Sequence, residues 1–287
     1  MIIRSIIFVP GNKEKMLTKS LGLGGDALVW DVEDAVPLAE KDLARATIGK
    51  ALDELPADHP PIYVRINPLP TNMLSADLNQ IVKPDLYGVM LAKAEYTSQV
   101  VELDTELSRL ELANGLTPGS IKIHCILETC LGIINAYELA TASSRVDGVS
   151  FGAEDFTLDL GTSRSRDGIE QAYARGAVTV AAAAAKVMAI DTVYSDLNDE
   201  EGLIKESQNA RQIGFTGKFA LHPKQVAPIN QAFSPSEKEV EYATKVVAAF
   251  KKAEEENLGV ITVDGRMVDP PVVKKAQQIL EAAGKNI

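Results

Sequence analysis

The sequence predicts an α/β protein, a TIM-type (β/α)8 barrel followed by a C-terminal helical extension. Eight short apolar runs rich in β-branched residues alternate with amphipathic segments, and polar residues follow nearly every run. The chain has 287 residues, which suits one barrel of roughly 250 residues plus an appendage. We expect residues 1–232 to form the catalytic barrel and residues 233–287 to form the extension.

The alternation of strands and helices is regular along the first part of the chain. The predicted strands are 5–10, 26–34, 61–67, 86–95, 121–129, 146–155, 191–196 and 218–223. Helical periodicity fills the gaps, with Ala44, Ile48, Leu52 and Leu55 on one face of the second helix and Val100, Leu103, Leu107 and Leu110 on one face of the fourth. This regularity favours a closed barrel over an open doubly wound sheet, which is the alternative.

The sixth helix and the tail carry further local signals. The sixth helix has an apolar stripe of Ile169, Tyr173, Val180, Ala184 and Val187, and Asp167 with Glu170 resembles a capping box at its start. In the tail, Ser236 and Glu239 form a second capping box. It precedes a stripe of Val240, Ala243, Val247 and Phe250, a strand at 259–265, and a final helix through Val272, Ala276 and Ile279. We expect this tail to pack across the barrel or onto a neighbouring subunit.

Charge and composition exclude several classes of partner. The net charge of -11 repels nucleic acid and anionic membranes, so neither is an expected partner. No apolar stretch reaches the roughly 18 residues of a membrane span, and Arg4 interrupts the apolar N-terminal run, so no signal peptide is predicted. The expected location is the cytoplasm. Cys125 and Cys130 lack the paired spacing of a zinc site and are expected to be buried thiols.

Polar residues cluster where the predicted strands end, which is the catalytic rim of a TIM barrel. These residues are Asp31, Glu33, Asp34, Arg65, Asn67, Lys93, Glu95, Glu128, Glu154, Asp155, Asp196 and His222. Any one carboxylate there, such as Asp34, Asp155 or Asp196, can simply cap the next helix. Charged residues on six strands favour a functional site instead.

The acidic character of this rim predicts a bound cation. Crowded carboxylates repel one another and raise their pKa values, and a divalent cation removes that repulsion. Oxygen ligands without clustered Cys or His favour magnesium over zinc. Arg65 suits a substrate carboxylate, because a guanidinium donates two parallel hydrogen bonds; the alternative is an ion pair with a rim acid. Arg164 and Arg166 either guard the mouth of the site or pair with surface acids.

A basic first loop adds a second cationic feature. Lys13, Lys15 and Lys19 follow the first strand, and at a helix N-terminus they could hold a phosphate or pyrophosphate. The loop is neither a Walker A nor a dinucleotide motif. A solvated first helical turn is the alternative.

Several motifs together resemble the citrate lyase β-subunit family, among the HpcH–HpaI aldolases, with its malyl-CoA and citramalyl-CoA lyase relatives. They are RSIIFVPGN, WDVEDAVPLAEKDLAR, VRIN, ETCLGI, FGAEDF, DTVYSDLNDEEGL, IGFTGKFALHPKQV and GRMVDPP, in that order along nearly the whole chain. The chain departs from the citrate lyase β subunits in having AKAE in place of PKTE and His222–Pro223 in place of Asn–Pro. Both departures bring it nearer to the CoA-dependent relatives.

The resemblance implies a TIM barrel, a homo-oligomer (a homotrimer or a hexamer) and a Mg²⁺ cofactor. It implies that Glu128 and Asp155 hold the metal, that Arg65 binds the keto-acid carboxylate, and that Asp269 is an acid/base group, often acting in the adjacent subunit. Glu33 is implied near metal-bound water. Lys13, Lys15, Lys19 and His222 are implied in binding the substrate and its CoA or acyl-carrier thioester. Citrate lyase α and γ subunits are possible partners by the same resemblance.

The function expected is a carbon–carbon lyase that cleaves a citryl, citramalyl or malyl thioester into a keto acid and an acetyl thioester. The keto acid (oxaloacetate, pyruvate or glyoxylate) stays open. One alternative is a class II keto-acid aldolase or a malate-synthase-like condensing enzyme. Another is a non-catalytic assembly subunit, which the set Arg65, Glu128, Asp155 and Asp269 disfavours.

Overall fold

The computed structural model describes residues 2–255 and 259–285. Eight parallel strands form a closed barrel in chain order, and the first strand pairs with the eighth. The strands are β1 Ser5–Pro10, β2 Ala27–Asp31, β3 Ile62–Ile66, β4 Gly88–Leu91, β5 Lys122–Leu127, β6 Val146–Phe151, β7 Met188–Asp191 and β8 Gly217–Ala220. The predicted TIM (β/α)8 barrel is confirmed, and the open sheet is excluded.

Helices follow the strands. They are α1 Glu14–Ser20, α2 Lys41–Asp53, α3 Leu74–Ile81, α4 Thr97–Ala113, α5 Cys130–Ile134, α6 Ala136–Ala140, α7 Ala153–Asp159, α8 Ala172–Ala185, α9 Glu200–Ile213 and α10 Pro223–Phe233. The predicted faces of α2 and α4 are buried, except that Leu55 lies beyond the end of α2. None of the helices within the described ranges has the length and apolar content that crossing a bilayer requires.

The barrel interior is mostly apolar, with the buried His124 beside Tyr63 and Phe219, and charged side chains lie at its carboxyl-terminal end. Val29, Tyr63 and Ile126 belong to one buried cluster with Ile6, Ala27, Met90, Ile190 and Phe219. Side chains alternate between the faces of a strand, so the inward direction continues from these residues to Asp31, Arg65 and Glu128, two positions further along. The same periodicity that fills the core therefore aims charged groups at the carboxyl-terminal rim.

The seventh strand differs from its prediction. It covers Met188–Asp191 rather than residues 191–196, because the alanine-rich helix α8 ends at Lys186, a left-handed residue with φ 60°. Asp196 consequently lies in an exposed loop and not at a strand end. Asp191 ends the strand instead, and it is buried between Lys218 and Arg175 at 2.7 and 2.9 Å.

The predicted apolar face of the sixth barrel helix, α8, is wrong. Ile169, Tyr173 and Val180 are 79, 74 and 70% exposed, and Ala184 is exposed and Val187 lies beyond the helix end. Small residues face inward instead: Ala174, Val178, Ala181 and Ala182. The predicted capping box is also wrong, because α8 begins at Ala172 and Glu170 accepts hydrogen bonds from the Ser165 N–H and hydroxyl.

A buried ion network lies at the end of the barrel where the strands begin. Arg145, just before β6, donates to both oxygens of Glu111, which is fully buried on α4. The backbone N–H groups of Gly119 and Ile121 donate to the same carboxylate at 2.8 Å each. These bonds hold the pKa of Glu111 down to about 2, although burial alone would raise it.

The chain divides into two compact units, Ile3–Asn230 and Gln231–Ile287. The second contains α11 Glu237–Glu255, β9 Ile261–Val263, β10 Arg266–Val268 and α12 Pro270–Ala282. The Ser236–Glu239 capping box is confirmed. The single predicted strand at 259–265 is instead the first arm of an antiparallel hairpin, because Asp264 and Gly265 adopt positive φ and turn the chain. Its expected packing on the barrel or a neighbouring subunit stays a prediction.

The two cysteines are free thiols. Cys125 is buried as expected, and burial raises its pKa to about 12. Cys130 begins α5 and is only partly buried, because its position at a helix start leaves one side of it facing outward.

Candidate active site

A cavity of about 520 Å³ lies at the carboxyl-terminal rim of β2–β5. Its lining residues include Glu33, Asp34, Lys41, Asn67, Lys93, Glu95 and Thr129. Each of them follows a strand or begins the helix after it. The cavity is therefore built from the loops that carry catalytic residues in TIM barrels.

Arg65 is held in place by Asp31 at the neighbouring strand end. The Arg65 Nε and Nη2 donate to the two oxygens of Asp31 at 2.8 and 2.6 Å, and the guanidinium lies 4.8 Å from the Phe8 ring centroid. Burial opposes the charged form of Arg65, but the carboxylates around it, Asp31 first, together outweigh burial and raise the pKa of Arg65. The predicted ion pair with a rim acid thus exists, and Nη1 points to Glu33 at 3.0 Å.

Glu33 is a buried carboxylate between two cations. It is 4% exposed and lies 3.0 Å from Arg65 Nη1 and 3.2 Å from Lys93 Nζ. Burial raises its pKa even though Arg65 works in the opposite direction. The Lys41 Nζ donates to the backbone carbonyls of Val32 and Glu33 at 2.8 and 3.0 Å. These two hydrogen bonds hold the loop that carries Glu33 in place.

Glu128 follows β5 and is also 4% exposed. Burial raises its pKa to about 7; Arg65 opposes this rise, and Asp155 adds to it. Its Oε1 accepts the backbone N–H of Lys93 at 2.9 Å. A side chain at Gly152 would collide with Glu128, because a Cβ there would lie 2.6 Å from Oε2. The glycine of FGAEDF therefore makes room for this carboxylate.

Asp155 lies in the first turn of α7 rather than at the end of β6. Its Oδ1 is 3.5 Å from Lys93 Nζ, and its side chain is 32% exposed. The adjacent Glu154 turns away and pairs with Arg164 at 2.8 Å. The two neighbouring acids therefore differ: Asp155 faces the acidic cluster and Glu154 faces the surface. Arg164 and Arg166 both pair with surface acids.

The donor set suits a hard divalent cation. Glu128, Asp155 and Glu33 supply only oxygen atoms, and no group of three or more acidic, His or Cys side chains within residues 2–255 and 259–285 forms a ready-made metal cage. Magnesium typically takes only one or two protein carboxylates, with water and substrate completing its shell. Burial is the main cause of the raised pKa of Glu128, and the neighbouring carboxylates Asp155 and Glu33 raise it further; a bound cation would neutralise that negative charge. These residues fit magnesium better than zinc.

The predicted carrier-binding residues lie elsewhere on the rim or on the surface. Lys13 is the N-cap of α1 and lies 3.7 Å from Glu40. Lys13 precedes the first turn of α1, whereas Lys19 lies in its last turn. The three lysines therefore do not gather at one helix N-terminus. His222 follows β8 and accepts the Lys224 N–H at 3.2 Å. Their roles stay predictions.

Asp269 belongs to the second unit. It is the N-cap of α12, where its side chain accepts the Val272 N–H at 3.2 Å. A carboxylate at a helix N-terminus satisfies an otherwise free N–H and interacts well with the helix dipole. Its acid/base role stays a prediction.

Three residues at or beside the cavity were missed as site residues, although their strand-end positions were noted. Asp31 orients Arg65, and Lys93 joins Glu33, Glu128 and Asp155. Asn67 donates its backbone and side-chain N–H groups to Asp77 on α3, each at 2.9 Å. The strand-end rule could have found all three, because each follows an apolar run directly.

Known proteins match this chain over its length. The model of the HpcH/HpaI aldolase/citrate lyase family matches residues 4–223, which is nearly all of the barrel unit. The chain belongs to the HpcH/HpaI aldolase/citrate lyase family. The resemblance drawn from the motifs is confirmed.

Individual members of the family are similar over almost the whole chain. The citrate lyase subunit beta of Leuconostoc mesenteroides subsp. cremoris is 39% identical, over 99% of this chain and 94% of its own length. The mitochondrial citramalyl-CoA lyase of Rattus norvegicus is 32% identical, over 98% of this chain and 86% of its own length. The crystal structure of CitE from Mycobacterium tuberculosis in complex with magnesium, acetoacetate and coenzyme A has a TM-score of 0.81 at 31% identity, covering 99% of both chains.

Proposed function

We propose that this protein is a magnesium-dependent carbon–carbon lyase that cleaves a 3-hydroxy-carboxyacyl thioester into a keto acid and an acetyl thioester. The observation that carries the proposal is the convergence of Glu33, Glu128 and Asp155 on one rim with Arg65 and Lys93. The relatives named as citrate lyase subunit beta and citramalyl-CoA lyase support the reaction class.

Arg65 would bind the substrate carboxylate. Nε and Nη2 of Arg65 donate to Asp31, and Nη1 lies 3.0 Å from Glu33. Nη1 is therefore the group that would exchange Glu33 for the substrate carboxylate. A fixed cation is needed there, because the net charge of -11 repels an anionic substrate. Asp31 keeps the guanidinium in one orientation, and that orientation would select a carboxylate at one place.

Glu128 and Asp155 would hold magnesium, supported by the magnesium in the complex of CitE from Mycobacterium tuberculosis. Bound magnesium would supply Lewis-acid stabilisation of negative charge on the substrate oxygens. Glu33, whose pKa burial raises, is suited to take the proton of the substrate hydroxyl. The electrons of the broken C–C bond then pass to the acetyl thioester, and Asp269 would protonate its carbon as a general acid.

The thioester carrier is proposed to be CoA or an acyl-carrier group. The lysines of the first loop, Lys13, Lys15 and Lys19, would contact its phosphates, and His222 would border the substrate. CoA is supported by the coenzyme A in the CitE complex. We further propose a cytoplasmic homo-oligomer, a trimer or hexamer, in which Asp269 reaches the site of an adjacent subunit. The alternative assembly is a complex with citrate lyase α and γ subunits.

The proposal is tested by incubating the purified chain with malyl-, citramalyl- and citryl-CoA and measuring acetyl-CoA and keto acid. Cleavage of at least one substrate with Mg²⁺, and its loss with excess EDTA, is expected. An aldolase acting on free acids would instead cleave the 3-hydroxy acids without CoA, and an assembly subunit would cleave nothing. Either of those two results would contradict the proposal.

A further inference from the structure

Lys93 contacts all three acids of the cluster, and it does so with two different parts of the residue. Its backbone N–H donates to Glu128 Oε1 at 2.9 Å. Its Nζ lies 3.2 Å from Glu33 Oε1 and 3.5 Å from Asp155 Oδ1. Burial opposes its charge, but the surrounding carboxylates, Glu33 and Glu128 first, together outweigh burial and raise the pKa of Lys93. The residue is a fixed cation inside the acidic cluster.

The backbone of Lys93 is held in an unfavourable conformation. Its φ is 50°, and within the described residues positive φ occurs at only three other non-glycine positions, Asn72, Lys186 and Asp264. Such a conformation costs about 1 kcal/mol or more for a residue with a Cβ. Glycine would avoid this cost. Lys186 shares the conformation at the end of α8, so the contacts with the three acids are what distinguish Lys93.

The charges around Lys93 do not balance without a further cation. Arg65 is already engaged by Asp31 through two hydrogen bonds. Its Nη1 also lies 3.0 Å from Glu33. Two cations, Arg65 and Lys93, therefore face four carboxylates, which are Asp31, Glu33, Glu128 and Asp155. Asp155 is the most exposed of them, and its contact with Nζ, at 3.5 Å, is longer than that of Glu33, at 3.2 Å. It is therefore the carboxylate that Lys93 can give up most easily.

We propose that Lys93 is an exchangeable counter-ion of this cluster, which neutralises Asp155 in the metal-free protein and gives that carboxylate up when a divalent cation binds. This inference rests on the proposed magnesium site at Glu128 and Asp155. Lys93 acts as a positioning residue: it keeps Glu33 and holds Glu128 through its backbone, while its ammonium and the metal ion compete for Asp155. This competition lowers the affinity of the site for the metal. It also stabilises the folded protein when no metal is bound, because the ammonium offsets the repulsion between the carboxylates.

The test is isothermal titration calorimetry with MgCl₂ alone, at pH 8, on the full chain and on Lys93→Met and Lys93→Gln. Both variants remove the ammonium and leave the backbone N–H to Glu128. Each is expected to bind Mg²⁺ about tenfold more tightly than the wild type. A substitution that merely damaged the site would weaken metal binding, so a gain in affinity separates competition from a structural role.

Lys186→Met is the matched control, because Lys186 is also a non-glycine residue with positive φ, 60°, and lies at the end of α8 away from the cluster. Its Mg²⁺ affinity should equal that of the wild type. Thermal denaturation gives a second readout: without metal, Lys93→Met should melt below the wild type, and Mg²⁺ should raise its melting temperature by more.

The outcomes separate the two proposals. Wild-type binding of Mg²⁺ with unchanged or weaker binding by both Lys93 variants overturns the exchange and leaves the proposed function standing. Absence of Mg²⁺ binding by the wild type and by both Lys93 variants overturns the metal site of the proposed function, and the exchange with it.

Discussion

Arg65 and Asp31 are joined by two parallel hydrogen bonds, 2.8 and 2.6 Å long, across the carboxyl ends of two adjacent barrel strands. Asp31 is fully buried, and it also accepts the backbone N–H of Glu33 at 2.8 Å. The pair therefore fixes both the cation that would meet the substrate and the loop that carries Glu33. Two parallel hydrogen bonds of this kind require the planar guanidinium group of arginine, and the ammonium group of lysine cannot form them.

Substituting Arg65 by Lys should lower kcat/KM for thioester cleavage by about a hundredfold or more, because one ammonium cannot keep both Asp31 and a substrate carboxylate. Asp31→Asn should raise KM for the same substrate by weakening the orientation of Arg65. Steady-state kinetics measure both effects.

A matched control is Asp26→Asn, since Asp26 forms a comparable two-bond pair with Arg4 at the opposite end of the barrel. It should alter stability and leave KM unchanged. Equal KM values for Asp31→Asn and the wild type would contradict the proposed role of the pair.

Asp155→Asn should weaken Mg²⁺ binding by about a hundredfold and abolish measurable cleavage, because it removes one of two anionic ligands. Glu154→Gln is the neighbouring control: it pairs with Arg164 on the surface, so both Mg²⁺ affinity and kcat should be retained. Calorimetry and the cleavage assay, run on the same preparations, decide between the two acids. Similar losses in both variants would show that the assignment is wrong.

Glu128 makes the metal-free protein sensitive to pH. Its pKa is raised to about 7 by burial, so its contribution to stability is fully present below about pH 4.5 and is lost as the pH rises to about 7. In EDTA at pH 8, Glu128→Gln should therefore be more stable than the wild type, by up to about 3 kcal/mol. Urea unfolding at pH 8 and pH 4.5 measures the difference, which should disappear at the lower pH. A wild type as stable as the variant at pH 8 would contradict this account.

Glu111 should have the opposite pH dependence. Its pKa is held at about 2, so the stability it contributes is present above its ordinary pKa and is lost as the pH falls toward about 2. Glu111→Gln should reduce the free energy of unfolding at pH 7 by about 2–3 kcal/mol, because the buried Arg145 loses the carboxylate that accepts from both of its Nη groups and keeps only Asp104 as an ionic partner. Glu106→Gln on the same helix removes a pair with the exposed Arg109 and should cost about 0–1 kcal/mol. Equal costs, from chemical denaturation, would refute the distinction.

Asp269→Asn separates chemistry from helix capping. Asparagine caps a helix N-terminus about as well as aspartate, so the melting temperature should stay within a degree or two, on the order of a few tenths of a kcal/mol. Loss of the carboxyl group should lower kcat by at least about a hundredfold if Asp269 is the general acid. The solvent-hydrogen exchange of acetyl-CoA, followed by NMR, should fall in parallel. Unchanged exchange would remove Asp269 from the mechanism.

Hydrophobic periodicity and capping motifs predicted the secondary structure correctly where one apolar face of a helix or strand packs against the core. The stripes of α2 and α4 and the Ser236–Glu239 box were predicted correctly, except that Leu55 lies beyond the end of α2. So were the eight strands, apart from the position of the seventh and the end of the sixth, which stops at Phe151 before α7 begins. The stripe of α8 was predicted wrongly, because alanines rather than large residues lie against the rest of the barrel there. Hydrophobic size predicts burial only where the neighbouring element leaves room for it.

The sequence alone determined the barrel, the family and the presence of charge at the carboxyl-terminal rim, since periodicity and motif order are properties of the chain. Only the tertiary structure decided which charges meet. It paired Arg65 with Asp31, turned Glu154 to the surface and Asp155 to the cluster, and placed Lys93 among three carboxylates. The physical reason is that these contacts join residues from different strands, whose separation is set by barrel closure and not by their spacing in the sequence.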